Sequence, residues 1–157
     1  MSDMLVKLYD LKENESVEQY ERRTGVTIRR AIAPEKHVVT AWIAKHFRTP
    51  WVSEAEVAFA RSPITCLIAI DNNKLVGFAC YDATTKGFFG PTGVDEEQRG
   101  KGIGKMLFLY TMQLMRSDGY GYAIIGGAGP TEFYAKTVGA TIIENSEPGI
   151  YRGMLKG

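Results

Sequence analysis

Three glycines alternate with other residues in the stretch DEEQRGKGIGKMLFLYTMQLM (95–115): Gly100, Gly102 and Gly104, beside the cations Arg99, Lys101 and Lys105. Glycine is roughly 1 kcal/mol worse than alanine inside a helix. Yet these glycines stand where a loop turns into the most apolar helical stretch of the chain. A helix N-terminus offers unpaired N–H groups and the positive end of the macrodipole. Glycine lets that backbone close around an anion without a Cβ in the way and permits positive φ where a nest of amides needs it. The chemistry is that of a diphosphate cradle, with Arg99 and Lys101 on its rim; the plain alternative is a flexible basic turn. Two nucleotide patterns do not fit. A Walker loop needs Ser or Thr after Gly104-Lys105, where the chain has Met106. A G-x-G-x-x-G run starting at Gly100 ends on Lys105, and one starting at Gly102 ends on Leu107.

A cradle needs a helix behind it and a sheet beneath it. The spacing predicts a helix over 103–118, apolar on most of its faces and stopped by Gly119. Upstream, TCLIAI (65–70) and KLVGFACYDA (74–83) flank Asp71-Asn72-Asn73 and read as a hairpin. GFFGPTGV (87–94) reads as a strand interrupted by Gly90, Pro91 and Gly93. Such a strand should splay from a neighbour and leave backbone groups unpaired. VTIRRAIA (26–33) reads as a strand, followed by a helix opened by Pro34 and a second helix from Ser53, where Glu56 completes a capping-box pattern. YAIIGGAG (122–129) reads as a buried strand and PTEFYAKTVGA as a short helix between Pro130 and Gly139. ATIIE and IYRGML read as closing strands. Residues 1–24 read as a charged N-terminal extension, either a short helix lying on the domain or a partly mobile arm, and 25–157 as a single domain. The expected class is α/β (α+β), a mixed sheet flanked by helices.

RGKGIGKMLF resembles the acetyl-CoA signature of the GNAT superfamily of N-acetyltransferases, R-x-x-G-x-G/A, met here by Arg99, Gly102 and Gly104. The broken strand before it and FYAKTVGA after it stand in the family's order, so the resemblance covers about residues 26–157. It implies a mostly antiparallel sheet whose fourth and fifth strands diverge in a V. Acetyl-CoA, as co-substrate, would lie in that opening against Val94, Arg99, Gly100, Lys101, Gly102, Ile103, Gly104 and Lys105. The implied activity is direct acetyl transfer to a primary amine of a small molecule or peptide in a ternary complex. The Val94 backbone N–H would polarise the carbonyl, and Tyr134, in FYAKTVGA, would protonate the leaving thiolate. A tyrosine there can also simply pack on Val138 with its hydroxyl in water. Two other functions stay open: a non-catalytic acyl-CoA-binding or sensor domain on the same fold, and an unrelated phosphate-ligand module. The resemblance also implies a homodimer.

The general base has no single candidate, because TTKGFFGPTG carries no carboxylate on the broken strand. Asp82, Glu54, Glu56 and water are the alternatives; His37 and His46, on or near the first long helix, read as surface or packing residues. Trp42, Phe47 and Trp51 cluster as core, and NSEPGIY (145–151) reads as a turn beside the acceptor site. No acidic stripe announces a polyamine or an aminoglycoside. The 157 residues suit one domain, and 19 basic against 18 acidic side chains point to neither nucleic acid nor a membrane surface. Cys66 and Cys80 match no metal spacing and read as reduced core thiols of a cytoplasmic protein, with no metal cofactor expected.

Overall fold

The computed structural model describes residues 1–98 and 100–157. Among the described residues seven strands form one sheet, flanked by five α-helices. In chain order these are β1 (Met4–Lys7), α1 (Val17–Thr24), β2 (Thr27–Arg30), α2 (Lys36–His46), α3 (Thr49–Phe59), β3 (Cys66–Asp71), β4 (Lys74–Tyr81), β5 (Phe88–Val94), α4 (Ile103–Ser117), β6 (Tyr122–Ile125), α5 (Thr131–Val138) and β7 (Thr141–Ile142). The strands lie in the order β2-β3-β4-β5-β6-β1-β7. Every neighbouring pair is antiparallel except β5 and β6, which run parallel because α4 carries the chain across between them.

The first two dozen residues, read from the sequence as an extension, supply a strand and a helix. β1 slots between β6 and β7, alternating buried Met4 and Val6 with the more exposed Leu5 and Lys7. Ser16 and Gln19 cap α1 reciprocally, and α1 buries Tyr20. Two other expectations are corrected. The segment IYRGML is no strand: Gly149–Tyr151 is a single 3₁₀ turn, and the place beside β6 is taken by β1. The helix expected from Ser53 starts at Thr49, with Pro50 in its first turn. Proline has its φ preset for that position and loses no hydrogen bond there, so it outweighs the cap signal at Ser53.

Two apolar layers cover the sheet. Val6, Tyr20, Leu107, Phe108 and Met112 pack under α1, α4 and α5. Val39, Ile43, Ala55 and Phe78 pack with Cys66 and Cys80 under α2 and α3. The two cysteines are free and stand opposite each other across β3 and β4, and burial pushes the Cys80 thiol up.

On this second layer β5 comes close to Phe47. A Cβ added at Gly93 would lie 2.4 Å from the tip of the Phe47 ring. That ring is held by Trp51 at 5.1 Å, Trp42 at 5.7 Å and Phe78 at 6.0 Å between centroids. Gly93→Ala is therefore expected to lower stability by about 1–3 kcal/mol, the range for an overpacked core. For a chain of this size the thermal midpoint, followed by circular dichroism, should fall by a few degrees to roughly ten. An unchanged midpoint would mean that the aromatic cluster yields freely.

Candidate active site

β5 pairs with β4 along most of its length but touches β6 only at Phe88–Ile124 and Phe89–Ile125. Gly90, at φ 120°, and Pro91 follow directly, and from there β5 leaves β6. Val94 lies opposite Gly77 on β4, and the next amide, Asp95 N–H, donates to the Val76 carbonyl at 2.9 Å. Antiparallel hydrogen bonds alternate along a strand, so the Val94 N–H and C=O face the opposite way, into the gap that β6 has vacated. The splaying expected from Gly90, Pro91 and Gly93 is present, and it exposes a strand amide at a defined place.

The glycine loop closes one end of this gap. Gly102 caps α4 in the left-handed region at φ 71°, without a side chain over the helix end. The first intrahelical bond runs from the Met106 N–H to the Gly102 carbonyl at 2.9 Å, so the amides of Ile103, Gly104 and Lys105 precede the ladder. The Ile103 side chain is core, 2% exposed, and only its backbone reaches the opening. A Cβ on Gly100 or Gly102 would meet nothing within 4 Å, and one on Gly104 only Val94 Cγ2 at 3.5 Å. The glycines thus leave open space over a helix N-terminus, which fits a diphosphate. Lys105 is exposed at the rim. Lys101 points elsewhere, its ammonium paired with Asp71 at 2.8 Å and held by Gln98 at 3.2 Å. Its carbonyl accepts the Tyr20 hydroxyl at 2.9 Å, so α1 ties down the loop. Arg99 lies outside the described residues.

Two cavities meet at this opening. One, of about 510 Å³, runs from the glycine loop along Val94. The other, of about 530 Å³, lies toward α3 and the C-terminal segment. Phe89, Thr92, Pro130 and Tyr134 line both, so they form the junction. Tyr134 is 7% exposed, with Phe108 at 5.0 Å and Phe133 at 5.2 Å from its ring. Burial holds its phenol above the ordinary value of 10.0.

The structure separates the acids that the sequence left level. Glu54 lines the second cavity, where its carboxylate accepts a short hydrogen bond from the Thr84 hydroxyl. Asp82 is occupied in a turn: it accepts the Tyr120 hydroxyl at 2.9 Å and the Gly87 N–H at 2.8 Å. Glu56 faces Lys36 at 3.7 Å on the surface. His46 stacks on Trp42, 4.6 Å between ring centroids. The cavity residues Thr84 and Arg48 had no role in the sequence reading, whereas Tyr151 belongs to NSEPGIY, the segment read as a turn beside the acceptor site. Tyr151 is half-buried, and its hydroxyl is raised by burial first and then by the Glu54 carboxylate. Its only sequence signal was membership of a turn-forming segment near the C-terminus.

Among the described residues no group of three or more His, Cys, Asp or Glu is placed to hold a metal, and no helix is long and apolar enough to cross a membrane. The acetyltransferase (GNAT) family profile matches residues 26–139. The chain belongs to the GNAT family. Solved GNAT structures share its fold. A GCN5-related glucosamine N-acetyltransferase region of a fungal multi-domain GH3 β-N-acetylglucosaminidase superposes with a TM-score of 0.73 at 16% identity, over 90% of this chain and 19% of that one. A GCN5-related N-acetyltransferase from Sphaerobacter thermophilus gives 0.69 at 18% identity, over 90% of this chain and 48% of that one. The chain therefore spans less than half the length of either. A Brucella melitensis GNAT acetyltransferase, solved in complex with acetyl-CoA, gives 0.50 at 18% identity over 75% of this chain and 86% of that one. At such identities the likeness is one of fold. No curated protein matches the sequence. The GNAT profile begins at residue 26, after β1 and α1, although β1 is an interior strand of the sheet and α1 fastens the glycine loop.

Proposed function

We propose that the protein is an acetyl-CoA-dependent N-acetyltransferase acting on a primary amine by direct attack in a ternary complex. The observation that carries this reading is the junction of the two cavities at Tyr134, beside an outward-facing amide of a splayed strand. Acetyl-CoA, when bound, supplies an activated acetyl group on a thiol that can leave. The uncapped start of α4 and the glycine loop hold its diphosphate. Val94 donates its backbone N–H to the oxygen on which charge develops. Glu54 takes the proton that the amine must lose, with Thr84 fixing the carboxylate. Tyr134 holds its proton at neutral pH and delivers it to the departing sulfur. The N–C bond forms as the C–S bond breaks, and the products are an amide and a free thiol. A carboxylate inside the acceptor cavity favours this reading over a binding-only domain.

A thermal-shift comparison with CoA, acetyl-CoA, ATP and NAD tests it. At ~100 times its Kd a ligand stabilises by about 2.7 kcal/mol, roughly 5–10 °C here. The expected result is a shift with CoA and acetyl-CoA alone; an equal shift with ATP or NAD overturns the assignment.

Gly104→Ala separates the cradle from the fold. The new methyl group meets only Val94 at an ordinary 3.5 Å, and alanine is favoured in a helix by about 1 kcal/mol. The unliganded protein should be as stable as wild type or slightly more so. Acetyl-CoA should bind about tenfold or more weakly, because the methyl group occupies space left for the diphosphate. Calorimetric titration showing unchanged affinity would place the ligand elsewhere.

A further inference from the structure

The acceptor cavity carries an unusual combination of charges for an amine site. Among the described residues its charged lining side chains are Arg48, Glu54 and Glu147. Glu147 is already paired, with the Met1 ammonium. Glu54 is held by a hydroxyl, which leaves its negative charge uncompensated. Arg48, the exposed N-cap residue of α3, accepts the Trp51 N–H on its backbone carbonyl at 3.0 Å, while its guanidinium makes no ion pair or hydrogen bond with a described residue. Both fields reach Tyr151, the Glu54 carboxylate raising its hydroxyl and the Arg48 guanidinium lowering it. One unpaired cation, one available carboxylate and the Tyr151 hydroxyl thus line the same cavity. The same lining includes an apolar set: Trp51, Phe89, Pro91, Ile125 and Pro130.

A polyamine or an amino-sugar with several ammonium groups would need several facing carboxylates, and would be repelled by Arg48. A simple alkylamine would make no use of the guanidinium, which water alone would then solvate. Resting on the transferase reading above, we propose that the acceptor is a zwitterion: a free α-amino acid, or a close amino-carboxylic acid analogue, with an apolar side chain. Its carboxylate is held by Arg48, its nitrogen faces Glu54, and its side chain lies on the apolar wall. Guanidinium and carboxylate match in geometry and make charge-assisted hydrogen bonds. The chemistry is unchanged: the amino nitrogen gives up one proton as it takes the acetyl group, and the sulfur gains one as it leaves.

The test measures thiol release from acetyl-CoA by the full chain with three sets of amines. The first is phenylalanine, methionine and leucine, the second the α-amides of the same three, and the third tyramine, spermidine and glucosamine. Each set is run with wild type and Arg48→Gln, whose thermal midpoints are compared to show that both are folded. Wild type should favour the amino acids over their amides by about tenfold or more in kcat/KM. Arg48→Gln should bring that ratio close to one, mainly through KM. Each amine is the same molecule on both enzymes, so its own basicity cancels. Amides used as well as acids by wild type, or an Arg48→Gln loss shared equally by both, overturns the inference. Turnover of the third set alone overturns it too, while the transferase reading stands. Release with none of the nine, in protein shown to bind acetyl-CoA, removes both.

Discussion

Glu54→Gln should lower kcat for amine acetylation by roughly 10²–10⁴-fold, the usual contribution of a positioned general base, with acetyl-CoA affinity changed less than about twofold. The substitution isolates proton acceptance. Glutamine has the same length and keeps an oxygen for the Thr84 hydroxyl to donate to, so the side chain can stay in place. It cannot take a proton from the amine. Because Glu54 lines the acceptor cavity and not the cavity beside the glycine loop, the effect on acetyl-CoA should be small. Stopped-turnover assays beside a binding titration make both measurements. Should Glu54→Gln run within about threefold of wild type, the proton leaves through water and the carboxylate serves only to fix Thr84.

Tyr134→Phe should lower kcat by about 10²-fold while the thermal midpoint stays level or rises. Its phenol is buried, with burial as the sole influence raising it above 10.0. Removing a buried hydroxyl that forms no strong bond is nearly neutral for stability, so lost turnover would report chemistry and not misfolding. The pH dependence has a definite sign. An acid raised above 10.0 stays mostly protonated between pH 7 and 10, so its ionisation should not halve wild-type turnover within that range. Over the same range the acceptor amine becomes increasingly neutral, which raises the rate. The decline belongs above pH 10 in wild type and should be missing from Tyr134→Phe. Equal turnover and equal pH profiles would leave Tyr134 as a wall of the junction and move the proton donor elsewhere.

Both variants depend on placements of very different legibility. Tyr134 was marked by its position in FYAKTVGA, and the opening beside it by Gly90, Pro91 and Gly93. These signals are local: a proline cannot donate to a ladder, and a glycine takes backbone angles that break one. The glycine loop was equally readable, since left-handed residues ahead of an apolar run dictate where a helix starts and what its end exposes. Glu54 was one of several acids of equal standing. Its place in the cavity depends on α3 starting at Thr49, four residues before the apparent cap at Ser53, and on the loop that brings Thr84 to it.

Residues 1–24 show the same limit at larger scale. Four residues, Met4–Lys7, carry too little pattern to announce a strand, and their partners lie more than a hundred positions away in β6 and β7. Tyr20 gave no sign that its hydroxyl would fasten the carbonyl of Lys101. Lys101 was read as a rim cation, yet its ammonium is engaged by Asp71 at the end of the β3–β4 hairpin. Sequence by itself determined the β3–β4 hairpin, the break in β5 and the loop that starts α4, because each follows from the backbone preferences of a few consecutive residues. Tertiary structure alone decided which acid faces the cavity, that Lys101 is paired with Asp71 while Arg48 lines the cavity, and which strand completes the sheet. Those depend on charges and edges brought together from distant parts of the chain, where no local spacing records the neighbour.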